Sequence, residues 1–334
     1  MADLKVAVIG CGGHAQEHFR MIAAEPRLHL VAISEVDGKR LEQNRRQWKP
    51  ERAFSDYRRM LDTCALDLVH ICTMPGHLTP IAIDCLQRDL HTSLEKPPGM
   101  SAADTEKLAA VAHRSKGENM VSFNRRYFPE VLAVRRLVQQ RGGPVHCAAT
   151  YNKHLDLIGS SAWAHLTPPS IICDAIHHVD LLRWLAGRTP TEAARATAVY
   201  SLIKQGERDG ACRHNAVIHF DNGTIATMMH HSGVGFRIRR AEVHAEDFSA
   251  YLDLNGVPQC ELYEAVDQGR GQGARGEPYR GELDLEPTGG PHFDETRHFA
   301  DCILGAQTPW STLEDAVHTM RLGEAIGRGH KGPI

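Results

Sequence analysis

Short apolar runs alternate with amphipathic stretches over the first third of the chain. Such alternation is typical of βαβ units, whose right-handed crossovers build a parallel sheet. The sequence therefore predicts a Rossmann-type, doubly wound α/β domain over residues 1–123. Strands are predicted at 5–9, 28–33, 66–72, 91–94 and 120–123, and helices near 19–22 and at 40–48, 57–61, 81–87 and 101–115.

The pattern changes after residue 124, where alternating apolar and polar positions become common. The clearest signal is a hairpin, in which two alternating strands flank Asp221-Asn222-Gly223. We predict a second α+β domain over 124–334, built on a large, mostly antiparallel open sheet. Strands are predicted at 145–151, 193–201, 215–220, 224–230, 237–244 and 249–254, helices at 129–140, 293–304 and 313–326, a helix cap at Ser311 and a mobile loop at 268–281.

A sheet of this kind has helices on one face only. A large free apolar face normally binds a partner, so we expect a homodimer or homotetramer built on that face.

Composition narrows the class of partner. The 334 residues contain 38 Lys and Arg against 41 Asp and Glu, which leaves no excess of basic charge for a nucleic acid. No stretch approaches the roughly 18 apolar residues of a membrane span, and the chain starts on a strand, so neither a signal peptide nor a membrane anchor is expected. A small-molecule substrate is the remaining expectation.

Cysteine and histidine usage bears on location and metals. The nine cysteines form no Cys-x-x-Cys pair, which favours reduced thiols and the cytoplasm. The 21 histidines show no convincing metal spacing, so we interpret them as scattered surface residues and predict no metal site.

The first predicted strand enters a glycine-rich turn, Gly10-Cys11-Gly12-Gly13-His14-Ala15, and a helix follows. Gly10 permits the tight turn, Gly12 lets the backbone approach a pyrophosphate, and Ala15 allows close helix–strand packing. Gly13 and His14 complete the turn that faces the phosphates at the helix N-terminus. The motif predicts dinucleotide binding.

Glu35 ends the second predicted strand, where a carboxylate suits the hydroxyl pair of a ribose. The same carboxylate would repel a 2′-phosphate, so NAD is favoured. Lys39 and Arg40 lie close enough in sequence to keep NADP as the alternative.

Two later segments complete the predicted cofactor edge. Thr73, Pro75 and His77 follow a strand at its carboxyl end, where open α/β folds bind ligands. Lys96 lies between a strand and Pro97-Pro98, and the prolines restrict the direction of the chain there. A capping or surface role is the alternative for His77.

A predicted core helix at 171–185 contains Asp174, His177 and His178. Asp174 precedes His177 by three residues and His178 by four, so on a helix it shares a face with either. An Asp beside an imidazole can orient it for proton transfer. The spacing alone leaves both histidines open.

These residues together resemble the Gfo/Idh/MocA oxidoreductases, the family of glucose–fructose oxidoreductase and inositol dehydrogenases. The resemblance covers nearly the whole chain. It is carried by the glycine turn, 73–77, Glu95-Lys96-Pro97, Phe123-Asn124-Arg125-Arg126, the 174–184 segment and the 293–304 helix.

The resemblance implies hydride transfer between the nicotinamide and a secondary alcohol of a sugar, polyol or cyclitol. It implies that Lys96 and a helix histidine touch the reacting carbinol, and that Glu95 and Asn124 belong to the cofactor site. Counting back from Asp180 and Trp184 selects His177, but Cys173 then stands at the family's usual Asp position and Asp174 is displaced by one.

Two other functions remain as alternatives at this point. One is a catalytically silent NAD(P)-binding regulator, against which the retention of Lys96 and the Asp/His pair argues. The other is a glycosidase of the same fold that uses bound NAD for a transient oxidation.

Overall fold

The structure is a computed structural model and describes residues 4–154, 164–206, 211–267, 274–285 and 295–334. Contacts between Cα atoms divide the chain into two compact units. The first comprises 1–123, 165–168 and 294–317, and the second comprises 124–164, 169–293 and 318–334.

The first unit contains a six-stranded parallel sheet in the order β3-β2-β1-β4-β5-β6. This is the Rossmann order, in which the chain reverses direction across the sheet between β1 and β4. Its strands are β1 Leu4–Ile9, β2 Leu28–Ser34, β3 Arg52–Phe54, β4 Leu68–Ile71, β5 His91–Leu94 and β6 Asn119–Val121. Its helices are α1 Ala15–Ala24, α2 Gly38–Trp48, α3 Tyr57–Thr63, α4 Pro75–Leu86, α5 Ala102–Ala112 and, late in the chain, α9 Glu295–Ile303.

The central strands β1 and β4 are almost wholly apolar because helices cover both faces of a parallel sheet. The predicted Rossmann domain is confirmed. Strand β3 was not predicted, since three residues are too few to show a period.

The second unit contains a nine-stranded sheet in the order β14-β13-β12-β11-β7-β10-β9-β8-β15. Only β7 and β10 pair in parallel; every other neighbouring pair is antiparallel. Its strands are β7 His146–Lys153, β8 Ala196–Gln205, β9 Cys212–Phe220, β10 Ile225–Ser232, β11 Ile238–Ala245, β12 Phe248–Asp253, β13 Gln259–Asp267, β14 Ala274–Pro278 and β15 Lys331–Pro333. Its helices include α6 Pro129–Gln140, α7 Ser170–Cys173 and α8 Ile176–Ala186, and α10 Leu313–Gly327 follows α9.

The predicted hairpin around Asp221-Asn222-Gly223 is confirmed as β9–β10. Burial alternates strictly along β9, with Ala216, Ile218 and Phe220 buried. The predicted fold class is therefore confirmed for both parts of the chain.

Several local predictions were wrong. Helix α4 begins at Pro75 and not at 81, because Met74 is extended and a proline at the first helical position needs no amide donor. Residues 274–278, predicted as loop, form β14 through pairing with β13, while 268–273 lie outside the described residues. The cap of α10 is Thr312, whose Oγ1 accepts from the Asp315 amide.

The segment around Asp174 also differs from the prediction. The helix expected over 171–185 is divided into α7 and α8, with Asp174 and Ala175 between them. Both of their amides donate to the Ser170 carbonyl, which tightens the chain into a turn at this point.

The interpretation of the histidines as surface residues is wrong for several of them. His18, His70, His178, His214 and His230 are buried.

Candidate functional site

The glycine turn after β1 requires glycine at one position and leaves space at another. Gly10 has φ +85°, and a Cβ there would lie 2.6 Å from the Cys72 carbonyl oxygen. At Gly12 and Gly13 no described atom lies within 4 Å of an added Cβ. Ala15 is fully buried at the start of α1. The turn thus has the open approach that a pyrophosphate needs at a helix N-terminus.

Glu35 lies against this turn, at the end of β2. Its carboxylate is buried and accepts hydrogen bonds from the amides of Cys11 at 2.9 Å and Asp37 at 3.0 Å. Arg40 Nη1 donates to it at 3.4 Å from a half-exposed side chain. The structure therefore brings Gly10, Glu35 and Arg40 together; contact of Glu35 with a ribose stays a prediction.

A polar network that sequence reasoning missed supports the turn. Asn44 is buried, and its Nδ2 donates to the carbonyls of Cys11 at 3.2 Å and Arg40 at 2.9 Å. Gln16 Nε2 donates to Asn44 Oδ1 and to the Gly12 carbonyl. The available signal was a polar residue on the inner face of an amphipathic helix.

The segment after β4 lies next to the same turn. The Cys72 amide donates to the Ile9 carbonyl, and Thr73 Cγ2 would lie 3.0 Å from a Cβ at Gly10. Pro75 begins α4, and His77 is exposed in its first turn. Because β1 and β4 adjoin at the reversal of strand order, this edge is where such folds bind ligands.

Lys96 follows β5 at the same edge of the sheet. The Glu95 amide donates to the Ile71 carbonyl at 2.9 Å, and the Lys96 amide donates to the Glu95 carboxylate at 3.1 Å. The Lys96–Pro97 peptide is cis. The two hydrogen bonds fix the backbone on the N-terminal side of Lys96.

Glu95 has a further partner inside the first unit. His18 Nε2 lies 2.9 Å from Glu95 Oε1, and both side chains are largely buried. Burial alone would raise the pKa of Glu95, but the hydrogen bond and charge of His18, together with the charge of Lys96, lower it. The structure places Glu95 as an ionised support under the Lys96 turn; contact with a cofactor stays a prediction.

More titratable groups surround this pair. The His70 ring lies 5.3 Å from that of His18, and burial lowers the pKa of His70 well below its usual value. Glu295, at the start of α9, accepts from Ser122 Oγ at 2.7 Å, and burial raises its pKa to about 7. No sequence motif signals this cluster, because the fold brings together residues from distant parts of the chain.

In the second unit the two candidate histidines have different surroundings. His178 is fully buried, its ring lies 5.1 Å from that of Tyr151, and burial with the charges of Arg125 and Arg239 lowers its pKa well below normal. His177 is half-buried. A proton-transfer group must be accessible, so this difference favours His177.

Asp174 does not hydrogen-bond to either histidine among the described residues. Its carboxylate accepts from Lys153 Nζ at 2.9 Å and from Ser170 Oγ at 3.2 Å. The expected Asp174–histidine pair on one helix face was therefore wrong, since the turn at Asp174 directs its carboxylate to β7.

A buried ion pair anchors α8. Arg126 Nε donates to Asp180 Oδ2 at 2.8 Å, and Thr319 Oγ1 donates to Oδ1 at 2.9 Å, with both charged side chains almost fully buried. Asn124, just before, begins a short 3₁₀ turn in the second unit. The pair thus joins two segments that are 54 residues apart in the sequence within the core of the second unit.

Comparison with known proteins agrees with this geometry. A family model described as "Oxidoreductase family, NAD-binding Rossmann fold" matches residues 4–123, and one described as "Oxidoreductase family, C-terminal alpha/beta domain" matches 165–332.

Among the described residues, no helix is both long enough and apolar enough to cross a bilayer.

Named relatives are distant in sequence. The myo-inositol 2-dehydrogenase of Thermotoga maritima is 22% identical over 96% of this chain and 95% of its own. The D-apiose dehydrogenase of Paraburkholderia graminis is 27% identical over 60% of this chain and 54% of its own. A levoglucosan dehydrogenase solved with NADH and L-sorbose superposes with a TM-score of 0.83 at 18% identity, covering 98% of this chain and 97% of that one.

The two family matches together span most of the chain, and the glycine turn, Glu35 and the Lys96 turn lie within the first of them. The predicted oxidoreductase with an NAD-binding Rossmann domain is confirmed. The chain belongs to the Gfo/Idh/MocA oxidoreductase family.

Proposed function

We propose that this protein is a dehydrogenase that transfers hydride between NAD and a secondary alcohol or ketone of a sugar, polyol or cyclitol. The observation that carries the proposal is the convergence of the glycine turn, Glu35 and Lys96 at one edge of one parallel sheet. Relatives whose names specify inositol, apiose and levoglucosan support the substrate class.

The roles of individual residues follow from their chemistry. NAD supplies the hydride acceptor when bound. Lys96 holds the carbinol oxygen and stabilises the charge that develops as the hydroxyl proton leaves. His177 accepts or returns that proton. Thr73, Pro75, His77 and Asn124 line the cofactor. Residues 1–123 form the dinucleotide-binding domain, and residues 124–334 form the domain for substrate binding and oligomerisation.

Asp174 acts indirectly in this scheme, through the position of His177. Its bonds to Lys153 and Ser170 fix the turn that precedes His177 by two residues. It therefore positions the start of α8 and does not share a proton with the imidazole.

Glu35 sets the cofactor preference. A buried carboxylate that already accepts two amide hydrogen bonds cannot move away from a 2′-phosphate. Arg40 is partly neutralised by the same carboxylate, so NAD binds more tightly than NADP.

The test is a screen of sugars, sugar acids and inositols with NAD and NADP, followed through the absorbance of the reduced cofactor. Turnover of at least one such alcohol with NAD is expected. Tight NADH binding with no turnover of any polyhydroxy substrate would contradict the enzyme proposal and favour a regulator.

The second sheet also supports an assembly of identical chains. We place the protein in the cytoplasm, where the nine free cysteines would stay reduced. Large apolar side chains are exposed along its outward positions: Tyr200, Leu202, Val217, Ile225, Met229, Tyr251 and Tyr263. A dimer or tetramer through this face would bury them. Light scattering at micromolar concentration should show the oligomer, and Leu202→Lys should weaken it; a monomer in the wild type would contradict the proposal.

A further inference from the structure

Three metal-binding side chains meet on the β9–β10 hairpin of the second unit. Cys212 and His214 lie two residues apart on β9, so they point to the same face of the strand. His230 lies on β10 directly opposite His214 in the antiparallel register. One ligand atom from each of the three lies within 4.8 Å of the other two.

The orientation of His230 suits a ligand. Its Nδ1 lies 2.7 Å from the Tyr151 carbonyl oxygen, so Nδ1 carries the proton and donates it there. The lone pair is then on Nε2, which lies 3.9 Å from Cys212 Sγ. A backbone carbonyl that fixes the tautomer in this way is the usual outer partner of a metal-bound histidine.

His214 lies beside His230 on the neighbouring strand. Its ring is parallel to that of His230, with an interplanar angle of 2° and centroids 5.6 Å apart. It is buried, and its Nδ1 has no hydrogen-bond partner among the described residues. The His214 ring offers one of its two nitrogens to the cluster.

Polar groups beside the cluster are also compatible with a cation. Ser232 Oγ lies 3.1 Å from Cys212 Sγ and can donate to a thiolate. The Asp174 carboxylate accepts from Ser170 Oγ, which itself lies 3.1 Å from His230 Nε2.

We propose that Cys212, His214 and His230 bind one divalent transition-metal ion of the Zn²⁺ class. One sulfur and two nitrogen donors suit tetrahedral Zn²⁺, which sets S and N ligands roughly 3.5 Å apart. The observed 3.9 Å between Cys212 Sγ and His230 Nε2 requires only a small side-chain adjustment. On binding, the thiol proton passes to solvent, and water or Ser170 takes the fourth position.

The site differs from the predicted cofactor edge of the first sheet, since all its ligands come from the second unit. It joins the hairpin to Ser170, at the start of the turn that precedes α8. A bound ion would therefore fix that turn and stabilise the second unit without taking part in hydride transfer.

The test uses Co²⁺ as a spectroscopic probe on the full-length protein after treatment with a chelator. One Co²⁺ per chain is expected, with a thiolate-to-cobalt charge-transfer band. Cys212→Ser should abolish the band, and His230→Gln should weaken binding by at least about 100-fold, because loss of an outer partner alone costs about 10- to 100-fold. The controls Cys260→Ser and His219→Gln, in the same sheet, should behave as wild type.

A second measurement does not depend on how the variants fold. Zn²⁺ should protect Cys212 in the wild type from alkylation, as followed by mass spectrometry of its peptide, whereas Cys64 and Cys260 should react equally with and without the ion. Absence of the charge-transfer band, its persistence in Cys212→Ser, or equal alkylation of Cys212 in both states would each overturn the proposal.

Discussion

Glu295 provides a quantitative test of the cluster beneath the Lys96 turn. Its Oε1 accepts from Ser122 Oγ, while its Oε2 is buried without a hydrogen-bond partner among the described residues. Burial, opposed by the charge of His18, raises its pKa from 4.5 to about 7. The folded state therefore favours the protonated acid, and Glu295→Gln replaces it with a neutral side chain of the same shape.

The sign and size of the effect follow from linkage. Between the two pKa values the folded state binds more protons than the unfolded state, so wild-type stability falls as pH rises through this window. A raised pKa of about 7 against 4.5 corresponds to roughly 3 kcal/mol, at about 1.36 kcal/mol per pH unit. The Glu295→Gln variant has no ionisable group at this position, so its stability does not fall in this way as the pH rises.

The assay is urea unfolding of wild type and Glu295→Gln at about pH 5 and about pH 8. From the lower to the higher pH, the difference in unfolding free energy between the two proteins should change by about 2–3 kcal/mol in favour of the variant. Glu314→Gln, at an exposed position on α10, is the matched control and should show no such change. A pH-independent difference between wild type and Glu295→Gln would refute the reasoning.

Three further substitutions test separate parts of the structure. Gly12→Val should fold normally but lose NADH binding in a fluorescence titration, and normal NADH affinity in this variant would contradict the cofactor site. Gly10→Ala should lose roughly 1–3 kcal/mol of stability, because Gly10 has a positive φ and the Cys72 carbonyl lies close to it. Asp180→Asn should lower the unfolding free energy by about 3–5 kcal/mol, because it removes the carboxylate that balances the buried Arg126 charge. A loss below about 1 kcal/mol, typical of an exposed pair, would show that the pair is not buried.

The sequence predicted the first unit well because its signals are local. A parallel strand covered on both faces is an apolar run, and Gly10 with its positive φ marks a turn that other residues rarely adopt. Strand β5 lies at the predicted residues, His91–Leu94. Most of the predicted cofactor residues lie at the carboxyl ends of these strands because they directly follow an apolar run; their contact with NAD stays a prediction.

Long-range contacts could not be predicted in the same way. Asp174 has the spacing of a helix-face partner for a histidine, yet Lys153, 21 residues earlier, binds it. The pairing of β13 made a strand from the Gly- and Arg-rich residues 274–278. The His18–Glu95 pair and the Cys212–His214–His230 cluster likewise depend on strand order and register, which a local pattern does not encode.

The central claim is that Lys96 and His177 act on the carbinol of the substrate while the glycine turn holds NAD. The most direct measurement compares turnover and NADH affinity in Lys96→Met, His177→Ala and His178→Leu, with Lys107→Met on α5 as the exposed-lysine control. Lys96→Met and His177→Ala should each lose about 10²–10⁴-fold in kcat/KM with nearly unchanged NADH affinity. His178→Leu should stay active, because His178 is a buried packing residue. Full activity in Lys96→Met, or an inactive His178→Leu beside an active His177→Ala, would contradict the claim.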